Sequence, residues 1–186
     1  MTPHTGEECW IQVVVLRGKR VLLRPGRPED AERLLRIRNE PGVLRWWGGA
    51  DIEEIREEFI GSEKGFVIEE GGEVVGAIQY HEENEPMYRH AGIDIFLTTS
   101  RQREGLGTEA IRLLAGYLFE ERGHHRLTID PAAENVGAIR AYERVGFRAV
   151  GIMRSYERGP DGLWRDGLLM DMLDKEFRPN ERTTRE

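Results

Sequence analysis

Three stretches of this chain place reactive residue types at spacings that suit chemistry. In Gln102-Arg103-Glu104-Gly105-Leu106-Gly107-Thr108, two glycines sit between a strand-like run and a strongly amphipathic helix. Glycines there let backbone N–H groups approach a ligand, and a helix N-terminus adds partial positive charge, so a diphosphate-bearing cofactor is the natural tenant. Upstream, Asp94 interrupts the apolar run Ala91–Thr99. A mid-strand carboxylate is costly unless it is paired or used, so Asp94 is either a functional acid or the partner of an arginine across a sheet. Downstream, Asn135 and Tyr142 are seven residues apart, two helical turns, and therefore share one helix face.

The glycines alone leave the cofactor open. Gly105, Gly107 and Ala110 also satisfy the generic G-x-G-x-x-G/A dinucleotide pattern, with Asp130 about where its ribose-binding acid would fall. A dinucleotide fold, however, opens with that motif and continues in βαβ units. Here four antiparallel-looking strands precede it, and Ser100–Glu104 separate strand from glycine. A helix-start loop with incidental glycines is the plainest alternative.

The elements that must position these residues follow from periodicity. Ile11–Leu16 and Arg20–Arg24 read as a hairpin about Arg17-Gly18-Lys19. Pro28, with Glu29 and Asp30 behind it, starts a helix that Asn39-Glu40-Pro41-Gly42 ends. Asp51 and Glu54 form a capping box for a second helix. Phe66–Glu69 and Val74–His81 flank Gly71-Gly72 as a hairpin. In the following strand Ile93, Ile95 and Leu97 face one side and Asp94 the other. A helix from Gly107 to about Glu121 closes at Gly123. Leu127–Asp130 is a short strand stopped by Pro131, and Asn135 caps a helix running to Val145 with Gly146 as its stop. Phe147–Arg154 and Gly167–Leu173 are strands joined by the turn Gly159–Gly162. Hairpins mixed with two crossover helices imply an α+β sheet with a partly parallel centre.

Composition bounds the rest. A length of 186 residues suits one domain, expected over 10–177, with polar, frayed ends at 1–9 and 178–186. Lys and Arg number 27 against 34 Asp and Glu, a formal charge of −7, which argues against a nucleic-acid partner and favours cationic small molecules. The single cysteine, Cys9, excludes an internal disulfide framework, and the five histidines show no ligand spacing, so no metal is expected. No apolar run suits a membrane span, and the N-terminus lacks a secretory h-region; a cytoplasmic setting is the default.

Gln102-x-x-Gly105-x-Gly107, after a strand carrying Gly92-Ile93-Asp94, resembles the acetyl-CoA loop of the GNAT (GCN5-related N-acetyltransferase) superfamily. Asn135, Ala138, Tyr142, Gly146 and Phe147, in the frame N-x-x-A-I-x-x-Y-E-x-x-G-F, resemble that family's second cofactor segment. The likeness runs from about Val21 to Leu173. Val43–Gly49 with Trp46 and Trp47, Gln79-Tyr80, Gly92-Ile93-Asp94 and Thr128–Pro131 further resemble segments of the aminoglycoside 6'-N-acetyltransferases. The stretch His81–Arg89 is shorter than the acid-bearing loop often found there.

The resemblance implies a GNAT fold: a mixed, mostly antiparallel sheet, splayed at the cofactor site and flanked by about four helices. It implies acetyl-CoA as cofactor, held by the backbone of Leu97 and Thr99, by Gln102, Arg103, Glu104, Gly105, Leu106, Gly107 and Thr108, and by Asn135 and Tyr142. It makes Asp94 the base that takes the amine proton, directly or through water, and Tyr142 the donor to the departing thiolate. Arg101 and Arg103 would add charge near the diphosphate, and an N–H near Leu97 would stabilise the oxyanion. The implied acceptor is a cationic small-molecule amine, foremost the 6'-amine of an aminoglycoside. Trp46 and Trp47, in an inter-helix loop, would offer faces for sugar rings. Tyr80, Glu82, Asp94 and Asp130, with Glu83 beside them, would complete the acceptor side. Other acceptors consistent with the same chemistry are a siderophore lysine, a polyamine or a protein N-terminus; a non-catalytic acyl-CoA sensor is the alternative from another class. A monomer or a homodimer is expected.

Overall fold

The computed structural model describes residues 14–179. Eight strands form one sheet: β1 (Leu16–Arg17), β2 (Val21–Arg24), β3 (Gly65–Glu70), β4 (Glu73–Glu83), β5 (His90–Leu97), β6 (Arg126–Ile129), β7 (Arg148–Arg158) and β8 (Trp164–Leu173). Their spatial order is β1-β2-β3-β4-β5-β6-β8-β7. Every neighbouring pair is antiparallel except β5 and β6, which run parallel. The α+β mixed sheet expected from the sequence is therefore present. Of the first hairpin, Ile11 to Val13 lie outside the described residues, as do nearly all of the two ends expected to fray.

The parallel contact is the feature that matters for function. Only Ala91 and Gly92 of β5 pair with β6, opposite Leu127 and Thr128. Beyond that point the strands diverge, and the β6-facing edge of β5 from Ile93 to Leu97 has no strand beside it.

Each face of the sheet buries its own core. On one face, α4 (Leu106–Glu120) and α5 (Val136–Val145) pack Leu106, Ala110, Ile111, Leu114 and Leu118 against Leu23, Ile68, Ile78, Tyr80 and Ile93. On the other, α1 (Ala31–Arg38), α2 (Pro41–Trp47) and α3 (Ile52–Phe59) pack Leu34, Ile37, Ile55 and Phe59 against Val67, Ala77 and Phe96. Alternation along β5 sends Ile93 to the first core and Phe96 to the second, so Asp94 belongs to the α1–α3 face.

Local signals explain most boundaries. Asp51 Oδ1 accepts from the N–H groups of Glu53 and Glu54 at 2.9 and 3.0 Å, and Glu54 Oε2 accepts from Asp51 N–H at 2.9 Å, closing the expected capping box. Asn135 Oδ1 accepts from Ala138 N–H at 3.2 Å at the start of α5.

One region differs from the sequence reading. The chain ends α1 near Asn39 but restarts at once: Pro41 opens α2, which runs through Trp47 and stops at Gly48. Proline at a first helical position lacks an N–H that would be unpaired in any case. There are thus five α-helices among the described residues, and both tryptophans sit on a last helical turn and not in an inter-helix loop.

Candidate active site

The glycine turn follows directly from β5. A short 3-10 turn, Thr99–Arg101, leads into it, and Gln102 Nε2 donates back to the Leu97 carbonyl at 3.0 Å. Arg103 (φ 66°) and Gly105 (φ 87°) both adopt left-handed conformations. Glycine pays no steric penalty there, whereas a side chain at 105 would be strained. Gly105 then serves as the N-cap of α4 with no side-chain hydrogen bond over the helix end, so no N-cap side chain competes for the first amides of α4. At Gly107 an added Cβ would stand 3.2 Å from Leu97 Cδ1, which lets helix and strand approach closely.

Acids near this turn are held on its far side. Glu109 Oε1 accepts from the N–H groups of Arg20 and Val21 at 2.8 and 3.2 Å. Arg20 donates to the Glu104 carbonyl at 3.0 Å and pairs with the Glu104 and Glu70 carboxylates. Arg101 pairs with the same two acids, so its charge is already met. Arg103 makes no ion pair among the described residues. A helix start without a side-chain cap and with its neighbouring carboxylates paired fits a diphosphate.

One backbone donor expected at the pantetheine, just past the end of β5, already has a partner. The Thr99 N–H donates to Glu40 Oε2 at 2.7 Å, while the Thr98 hydroxyl donates to Glu40 Oε1 at 2.6 Å. The Thr99 N–H, part of the backbone expected to meet the pantetheine, is thus engaged by Glu40. Gln102, expected at the ligand, uses its side-chain N–H on Leu97 and braces the turn.

Beyond the turn, the divergence of β5 from β6 opens a cavity of about 530 Å³. Asp94 and Ile95 of β5, Asp130 after β6, and Asn135 and Tyr142 of α5 line it, together with Trp46 and Trp47 of α2 and Tyr156 and Glu157 of β7. Asn135 and Tyr142 do share a face, as their spacing predicts. Tyr156 and Glu157 have no recognisable sequence signal: they lie on a strand that extends four residues past its expected end at Arg154.

The cavity is electrostatically negative. Burial raises the Asp130 carboxyl above its usual range, and Asp94 adds to that rise. Burial likewise raises Glu157, with Asp130 contributing. The Tyr156 phenol, hydrogen-bonded to Asp130, is pushed up to about 12. Burial, then Asp94 and Asp130, drives the Tyr142 phenol well above the usual tyrosine range, so it keeps its proton at neutral pH. Carboxylates that raise one another in this way are relieved by a cationic ligand.

The tryptophans divide their work. Trp47 Nε1–H donates to the Ile95 carbonyl at 3.2 Å, and its ring meets Phe96 edge-on at 5.3 Å, with the Arg38 guanidinium 4.4 Å from its centre. It fixes α2 against β5 beside Asp94. Trp46 carries only Arg45 over its ring, at 4.5 Å, and presents itself to the cavity.

Tyr80 and Glu82 do not reach this site. Register pairs Gln79 with Asp94 and Tyr80 with Ile93, so Tyr80 and Glu82 project from the opposite face of the sheet. Tyr80 is buried, edge-on to Tyr117 at 6.3 Å. Glu82 accepts from His124 Nε2 at 2.9 Å and Arg122 at 3.0 Å and pairs with Lys64 at 3.1 Å. Burial alone would raise its carboxyl, but these partners hold it down at about 2. On the Asp94 side the same strand supplies Gln79 Nε2, 3.5 Å from Asp94 Oδ2, and His81 Nδ1, 3.7 Å from that oxygen.

No group of three or more His, Cys, Asp or Glu residues among the described residues could hold a metal ion. No helix among them is long and apolar enough to cross a membrane.

The splayed sheet thus sets a glycine turn at one end of the gap and an acidic cavity at the other. The model of the "Acetyltransferase (GNAT) domain" matches residues 20–148, and the chain belongs to that family. It is 28% identical over 175 residues to a spermidine N(1)-acetyltransferase of Escherichia coli strain K12, covering 88% of this chain and 91% of the relative. It is 29% identical over 164 residues to an aminoglycoside N(6')-acetyltransferase type 1 of Klebsiella pneumoniae, covering 76% and 79%. Among solved structures, Mycobacterium smegmatis RimJ in complex with CoA-disulfide superposes with a TM-score of 0.72 at 28% identity, covering 88% of each chain. The protein is a GNAT N-acetyltransferase, and acetyl-CoA is the cofactor of that family.

Proposed function

We propose that this enzyme acetylates a primary amine of a polycationic small molecule, foremost the 6'-amine of an aminoglycoside. The observation that carries the reading is the convergence of Asp94, Asp130 and Glu157 with Trp46 around one cavity beside Tyr142. Carboxylates meet ammonium groups and an indole face meets a sugar ring.

The amides of Gly105 to Thr108, Arg103, Asn135 and the open edge of β5 near Leu97 would hold acetyl-CoA, which when bound supplies an activated acyl thioester. Asp94 accepts the proton that an ammonium acceptor must lose before its nitrogen becomes nucleophilic. Trp47 fixes the backbone at Ile95 and so keeps Asp94 in place. Tyr142 holds its proton at Oη, ready to donate a hydrogen bond to a departing thiolate. The β5 edge offers backbone donors where negative charge develops.

A second reading, a polyamine acceptor, is supported by the similarity to the spermidine acetyltransferase over most of the chain. Thiol release from acetyl-CoA across kanamycin-type aminoglycosides, spermidine and lysine derivatives separates the two. The highest kcat/KM is expected with an aminoglycoside bearing a free 6'-amine. Preference for spermidine would move the assignment to polyamines, and no turnover with any amine would remove it.

A further inference from the structure

Asp94 solves only half of a proton-transfer problem. A carboxylic acid is a far stronger acid than an ammonium, so a carboxylate is a poor final store for the acceptor's proton. An imidazole titrating near neutrality matches both the donor site and water better. The structure holds one beside Asp94.

His81 and Gly92 are directly opposed on β4 and β5. A Cβ at position 92 would collide with the His81 ring; the imidazole occupies the space that a side chain there would fill. This brings Nδ1 to 3.7 Å from Asp94 Oδ2 while leaving 65% of the His81 side chain exposed, against 34% for Asp94. The ring thus spans from the acid to solvent. The groups facing it are Asp94 of β5, Asp130 after β6, and Lys64 ahead of β3, two carboxylates against one ammonium. Asp94 is the main cause that lifts the imidazole above its ordinary 6.5, with burial opposing. At 3.7 Å the pair is just beyond hydrogen-bond distance, a separation of the kind that tightens when substrate binds.

We propose that His81 relays to solvent the proton that Asp94 takes from the acceptor amine, an inference that rests on the amine-acetyltransferase reading above. The acceptor N–H bond breaks as an O–H bond forms at Asp94 Oδ2. That proton passes to Nδ1 of neutral His81, the imidazolium so formed loses its Nε2 proton to bulk water, and proton exchange with water at the exposed ring restores the tautomer with Nδ1 free, returning both groups to their starting state. His81 acts through Asp94 and does not itself touch the reacting atoms.

The relay is tested on the full chain with acetyl-CoA and the best amine from the panel above. His81→Gln and His81→Ala should each lower kcat by roughly 10-fold to 10²-fold, at or below the smallest effect of a group that transfers the proton directly, with coenzyme A affinity unchanged. Because the neutral imidazole is the competent form, wild-type kcat should rise with pH through the raised His81 pKa; that limb should be absent from His81→Gln. Added imidazole should restore kcat of His81→Ala in a saturable manner. Gly92→Ala should lower kcat in the wild-type background, where it displaces the ring, and cause no further loss on top of His81→Ala. Wild-type kcat in His81→Gln, or a deficit in His81→Ala that imidazole leaves untouched, would overturn the relay while leaving the acetyltransferase assignment standing. No turnover by the wild-type enzyme with any amine would overturn both.

Discussion

The two ends of the gap between β5 and β6 are built on different principles. The end proposed to hold the cofactor is one contiguous turn that offers backbone amides, shaped by left-handed Arg103 and Gly105 and braced by Gln102, Arg20 and Glu109. The acceptor end is a set of side chains delivered by separate elements, from Trp46 on α2 to Glu157 on β7. Main-chain donors suit a diphosphate, a group common to many reactions. Side chains on separate elements read one acceptor and can be exchanged one at a time without disturbing the turn.

The sharpest way to probe this division is an acid that belongs to neither end. Glu82→Gln breaks the cluster that joins the buried Glu82 carboxylate to buried His124 and to half-exposed Arg122 and Lys64, and should cost about 3 kcal/mol of stability while leaving the acceptor KM of the folded enzyme unchanged. Chemical denaturation at neutral pH measures the first and initial rates the second. The sign with pH is fixed: the Glu82 carboxyl is lowered from 4.5 to about 2. Its stabilisation is therefore complete above pH 4.5 and lost as pH falls through that window. The Tm difference between the Glu82→Gln variant and wild type should shrink there; a raised acceptor KM would return Glu82 to the acceptor side.

Asp94→Asn comes next in size. Turnover should drop by about 10²-fold or more, with coenzyme A affinity intact because the turn is untouched. Equal turnover would reduce Asp94 to a structural acid. At the other end, Gly105→Val puts a β-branched residue at φ 87° and should weaken coenzyme A binding by about 10-fold, following a strain of ~1–2 kcal/mol. Its acceptor KM should stay constant, read by calorimetric titration beside steady-state kinetics. Linked losses at both ends in either variant would break the division.

The smallest effect is expected at Asp130. Its carboxyl is raised by burial and by Asp94, so holding it ionised costs the folded state stability above that raised pKa. Asp130→Asn should raise Tm by a degree or two at neutral pH, about 0.5 kcal/mol for a domain of this size, and the gain should vanish at acid pH, where the wild-type residue is protonated. The same variant should raise acceptor KM. A loss of Tm at neutral pH would show that Asp130 is stabilised by its neighbours.

Legibility follows the same line. The cofactor turn, the helix caps at Asp51 and Asn135, and the shared face of Asn135 and Tyr142 depend on residues within one or two helical turns, and each can be read directly. The restart of the helix at Pro41 is not legible because Pro41-Gly42 is equally good at ending one helix and opening the next. Tyr80 and Glu82 are expected near Asp94 from sequence, yet the register that sets Gln79 opposite Asp94 sends them to the other face. His81 shows no ligand spacing of its own; only the missing Cβ of Gly92 across the strand gives it a role.

By itself, then, the amino-acid order determined which segments turn, which coil and where an anion is welcomed, since those outcomes rest on local backbone geometry and nearest-neighbour hydrogen bonds. Only the folded sheet decided which carboxylates share a cavity. Strand side chains alternate with a period of two, and a shift of one residue in pairing exchanges every one of them between faces. The choice between Asp94 with His81 and Tyr80 with Glu82 is made by contacts distant in sequence.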